Sequence, residues 1–141
     1  MLQWRDRGSD GLKMAAASHQ EQREFFERVR EGFASAAERC GEIVRNIQVA
    51  GTRVRLRFAG GSMMPAILNG LARPAGVAAS DSQLCEILIW DSESSGVTGP
   101  PPPRPRWDFT GRGSIWGFDD QRYRSAFAWG EGSVSAVHHA D

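Results

Sequence analysis

The alternation of apolar and polar positions changes period several times along this chain, and each change marks an element. From Ser18 to Cys40, Phe26, Val29, Phe33, Ala36 and Cys40 recur at steps of three and four, which lines one face of a helix. Ser18 followed by Glu21 has capping-box spacing, and Gly41 supplies a stop. From Ile43 to Phe58 the period becomes two, interrupted at Ala50-Gly51, which predicts a hairpin of strands 43–49 and 52–58. With a two-residue loop, Val49 faces Thr52, Ile47 faces Val54 and Ile43 faces Phe58. That register buries Val54, Leu56 and Phe58 and sends Arg53, Arg55 and Arg57 to the other face.

Gly60-Gly61 breaks the second strand. Ser62 then caps a short helix with Pro65 in its first turn, Met64, Ile67, Leu68 and Leu71 inward, and Arg73-Pro74 at its end. Leu84 to Trp90 is apolar on both faces apart from Glu86, as expected of a strand central in its sheet. SESSGVTGPPPPRPR follows as an exposed extended loop, because proline donates no ladder hydrogen bond. Asp108–Thr110 with Ser114–Phe118, and Arg122–Trp129 with Ser133–Val137, predict two more hairpins around glycine-bearing turns. The expected fold is α+β: a mainly antiparallel sheet of hairpins with two helices packed on one face. Residues 1–17 read as a flexible lead, with Met1 or Met14 as the start, and 18–141 as a single domain.

Composition adds little. The 141 residues are 40% hydrophobic and 24% charged, with seventeen basic and seventeen acidic side chains. Zero net charge gives no general electrostatic reason to bind nucleic acid or an anionic membrane. Sixteen of the seventeen bases are arginine, the mark of a GC-rich genome rather than of sixteen selected guanidinium groups. Charge is nonetheless segregated: Arg45, Arg53, Arg55, Arg57 and Arg73 precede Asp81, Glu86, Asp91 and Glu93. No apolar run approaches a membrane span, and no signal core follows the charged N-terminus, so a cytoplasmic protein is expected. Cys40 and Cys85 lack metal spacing and read as buried, inert thiols.

Candidate chemistry is sparse. The lone lysine, Lys13, lies in no phosphate loop, and Gly111–Gly117 misses dinucleotide spacing. His138-His139 point to opposite faces of a strand and make a poor chelate. No serine sits in a nucleophile elbow, and Asp119-Asp120 suit turn chemistry. Catalytic residues, cofactor and metal are therefore all expected to be absent. The Arg53/Arg55/Arg57 ladder is the surface to watch. It either clamps an acidic peptide or phosphate groups, with Trp107 and Trp116 supplying an aromatic surface, or forms a solvated face paired with Glu86 or Glu93.

The succession VAGTRVRLRFAG, an amphipathic helix, LCEILIWDSESSGV, a proline run and FTGRGSIWGFDDQRYRSAFAWGEGSVSAV resembles the N-terminal domain of bacterial HPr kinase-related serine kinases. The likeness covers residues 43–137. In that family the phosphate loop and its acidic partners lie downstream, so the resemblance implies no catalytic residue here. It implies instead a non-catalytic module that recognises a peptide or protein, either a kinase domain or its substrate. The chain would then be a truncated gene, a split-off subunit or a dissected piece. Two other readings remain: a small enzyme whose polar pocket gathers Asp119, Asp120 and His138, or an oligomer using helix 18–40 as its seam.

Overall fold

The computed structural model describes residues 18–71, 85–101, 115–119, 122–128 and 133–138; in the last three strands it describes side chains only at Tyr123, Ser125, Ala136 and His138. The lead 1–17, the Arg73-Pro74 end signal, Asp108–Thr110 and most of the proline run lie outside the described residues.

Helix α1 (His19–Cys40) starts where expected, with both halves of the Ser18/Glu21 capping box made, and ends against Gly41, whose N–H donates to Ala37. Its inner arc is wider than a single stripe. Phe25 and Ala36 are fully buried and Phe33 nearly so, whereas Phe26 and Val29 are half-buried. The width reflects two packing partners. The C-terminal half, Phe33 and Ala36, packs with Ala59, Leu88 and Trp90, while Phe26 meets the Tyr123 and His138 rings at 5.7 and 5.4 Å. Gly32 permits the first contact, since a Cβ there would stand 3.0 Å from the Trp90 ring.

Strands β1 (Glu42–Val49) and β2 (Thr52–Ala59) pair antiparallel in the expected register, including Ile43 with Phe58 and Val49 with Thr52. Val54, Leu56 and Phe58 are buried. Against them lie Met64, Ile67 and Leu68 of α2 (Met64–Leu71). Leu71, expected inside, is exposed at the helix end. Strand β3 (Cys85–Ile89) returns parallel to β2, so β2, α2 and β3 form a strand–helix–strand crossover, and among the described strands the order β1-β2-β3 leaves β3 at an edge. The central position expected for this strand belongs to β2. Lying at the edge, β3 leaves Cys85 and Ile87 exposed, and Cys40 at the end of α1 is exposed too, which corrects the expectation of buried thiols.

Four residues of the expected extended loop fold as a helical turn, α3 (Ser92–Ser95), because Asp91 caps it and Gly96 ends it. Strands β4 (Ile115–Asp119), β5 (Tyr123–Ala128) and β6 (Ser133–His138) form a separate antiparallel meander. The fold is α+β. The one-face arrangement of helices is only partly met: α2 covers the Val54/Leu56/Phe58 side of the first sheet, and α1 packs on the side of Ala59 and Leu88.

Emptying the α1 junction should cost more than trimming the rim. Phe33→Ala is expected to lower the unfolding free energy by about 3–5 kcal/mol, and Leu71→Ala by about 1 kcal/mol or less. Urea denaturation followed by circular dichroism measures both.

Candidate functional site

Pleating and the β1–β2 register place Arg53 opposite Gln48, Arg55 opposite Asn46 and Arg57 opposite Val44, all on one sheet face. The three arginines then diverge. Arg57 Nε and Nη2 donate to the two Glu42 oxygens at 2.6 and 2.9 Å, while Nη1 donates to Glu86 at 3.1 Å. Its guanidinium also lies 5.4 Å from the centre of the Phe33 ring, a cation–π contact with α1. Bonding to Glu42 above all, then to Glu86, raises the Arg57 pKa, and the same Arg57 contact holds the Glu42 carboxyl below its ordinary value.

Arg55 reaches the other Glu86 oxygen at only 3.8 Å. Arg53 is exposed and makes no ion pair or hydrogen bond among the described residues. The solvated face paired with Glu86 thus describes Arg57 and, loosely, Arg55, and Glu42 is the partner that sequence reasoning missed. Extending the hairpin register by one residue would have found it, because Glu42 faces Ala59, diagonal to Arg57. Trp107 lies outside the described residues. Trp116 is on β4 of the second sheet, its backbone opposite Phe127, so it does not belong to the sheet that carries the arginines.

A second polar cluster sits at the C-terminal ends of the parallel strands β2 and β3. Asp91 accepts from the Ser62 hydroxyl, from the Ser94 hydroxyl at 2.6 Å and from the Ser94 backbone N–H at 2.7 Å. Ser62 was expected to cap α2; it bonds across to Asp91 instead. These bonds, Ser62 first and Ser94 next, pull the Asp91 pKa down to about 2. A carboxylate so firmly ionised is a weak proton acceptor, and what it does here is fasten the β2–α2 turn to α3. Cys40 Sγ lies 3.6 Å from the Ser94 carbonyl, and Arg39 donates to the Gly96 carbonyl at 3.3 Å, which ties α1 into the same corner.

His138 stacks on Tyr123 with ring centroids 4.6 Å apart, and the His19 ring lies 5.1 Å from the same Tyr123 ring. His139, Asp120 and the Asp119 side chain fall outside the described placements. Among the described residues there is no group of three or more His, Cys, Asp or Glu disposed to hold a metal ion, and no helix long and apolar enough to cross a membrane. Comparison with protein-family models, with curated proteins and with solved structures finds no match.

Two predictions follow the chemistry of these clusters. Arg57→Gln is expected to lower stability by about 1 kcal/mol, because it removes the cation that bridges Glu42 on β1 and Glu86 on β3, whereas Arg53→Gln changes it by about 0.5 kcal/mol or less. Chemical denaturation compares them. Asp91 and Glu42 both have depressed pKa values in the folded chain, so each binds fewer protons folded than unfolded. The Asp91 contribution is complete above its unfolded value, about 3.9, and is lost as pH falls towards 2, and the Glu42 contribution is likewise lost on acidification. Asp91→Asn should flatten the stability profile between those values.

Proposed function

We propose that this chain is a recognition module of an HPr kinase-like serine kinase system, holding a peptide or protein partner and performing no phosphoryl transfer by itself. The partner is a kinase domain or the polypeptide that such a domain modifies. One observation carries the recognition part: a strand-borne arginine row is anchored at one end, where Arg57 is locked by Glu42, Glu86 and Phe33, and open at the other, where Arg53 is exposed. An exposed guanidinium carried on a paired strand keeps its charge and its fork of donors available to an anion, which favours recognition. The kinase setting rests on the resemblance of residues 43–137.

The absence of phosphate chemistry is supported by the turn from β2 into α2. Gly60-Gly61-Ser62 has the strand–turn–helix setting of a phosphate loop, yet no lysine follows and the serine hydroxyl is committed to Asp91. A cytoplasmic location suits two free and exposed thiols.

Calorimetric titration of the purified chain with ATP and magnesium is expected to give no binding heat. Tight, magnesium-dependent ATP binding would overturn the non-catalytic reading.

A further inference from the structure

The chain has two asparagines, and their surroundings differ in a way that matters chemically. Asn46 lies inside β1, opposite Arg55, and is followed by the β-branched Ile47. Asn69 lies in α2 and is followed by Gly70, and both are exposed. Before glycine, the next backbone nitrogen reaches the asparagine side-chain carbon with no Cβ in its way. A closed helix withholds that approach, so the outcome depends on how firmly the last turn of α2 is held.

It is held weakly. α2 has eight residues, none of them buried, and no basic side chain in its last turn. Its contacts with the Val54/Leu56/Phe58 core come from Met64, Ile67 and Leu68, all before Asn69, and Leu71 beyond it is exposed. A helix this short has little stability of its own, a glycine lowers it further, and its end opens locally. The space around Gly70 is empty: a Cβ there would meet nothing within 4 Å.

We propose that Asn69 is a site of spontaneous covalent modification, at which the chain converts its own asparagine to aspartate and isoaspartate. The Gly70 nitrogen loses its proton to solvent base and attacks Asn69 Cγ. The new C–N bond closes a succinimide as the bond to the side-chain nitrogen breaks and ammonia leaves. Water then adds to either imide carbonyl, giving aspartate or isoaspartate at this position. The product carries a carboxylate at the C-terminal end of α2, where the helix dipole disfavours an anion and no basic residue of that turn offsets it. The modified turn therefore unwinds, and refolding does not restore it.

The test incubates the full folded chain in mildly alkaline buffer, following released ammonia and the mass of its peptides over time. The peptide carrying Asn69 should gain the mass of an amide-to-acid conversion and separate into aspartate and isoaspartate forms, while the Asn46 peptide stays unchanged. Gly70→Ala should slow conversion about tenfold, since its methyl group crowds the attack and strengthens the helix. The open space at Gly70 accepts that group, so this variant keeps its fold, which circular dichroism checks. Asn69→Gln should nearly abolish ammonia release. An Asn69 peptide that stays intact in the folded chain yet converts in urea overturns the proposal, because the helix is then closed to attack. Equal rates in the parent and Gly70→Ala overturn it as well, because the glycine then has no part in the reaction.

Discussion

The twenty-two residues of α1 have to satisfy two sheets at once. Its N-terminal half meets the meander through Phe26, Tyr123 and His138, and its C-terminal half closes over the first sheet through Phe33 and Ala36. A helix with one partner needs one stripe; this one buries Phe25 and Phe33 in full and half-buries Phe26 and Val29. Of the stripe Phe26, Val29, Phe33, Ala36 and Cys40, Phe33 and Ala36 are buried within the chain, Phe26 and Val29 are half-buried and Cys40 is exposed. The end points of α1 are fixed by the capping box and by Gly41, which leads straight into β1. The closeness of fit at Gly32 and Trp90 then sets where Phe33 lies, and Phe33 sets one wall of the Arg57 cluster.

That hierarchy divides the arginine face into two parts with different physical roles. At the α1 end, three strands are stitched together by Glu42, Arg57 and Glu86, an arrangement in which every charge has a partner. Away from α1, polar groups are less well matched. Such local imbalance is common where a protein meets something else, because donors that are fully bonded within the fold have nothing to offer outside it. The Asp91 cluster belongs with the first kind: a carboxylate surrounded by hydroxyl and amide donors, holding a turn and a short helix in register.

Much of the fold was legible in the sequence where signals are local. The capping box, the Gly41 stop and the hairpin register follow from residues within a few positions of each other, and the structure has them all. What escaped depends on distant partners. Leu84–Trp90 reads as a central strand because both faces are apolar, yet in β3 only Leu88 and Ile89 are half-buried, Leu88 against the Phe33 cluster and Ile89 against the Val54/Leu56/Phe58 cluster, while Cys85 and Ile87 stay exposed at the edge. Ser62 and Asp91 are joined by a crossover that no periodicity reports. The arginine row itself was plain from alternation, but which of its members is neutralised depends on Glu42 and on β3 lying beside β2.

The β1–β2 connection has a kinetic corollary. Ala50 and Gly51 both adopt positive φ, 49° and 82°, the mirror-image turn that suits the twist of a two-residue hairpin. Glycine accepts this without penalty, but an alanine in the left-handed region is disfavoured by roughly 1–2 kcal/mol. The bend is consequently a poor nucleus for chain collapse. Zipping of these strands must draw on apolar contacts made elsewhere first, so the tip closes late and is the natural place for the ladder to begin fraying.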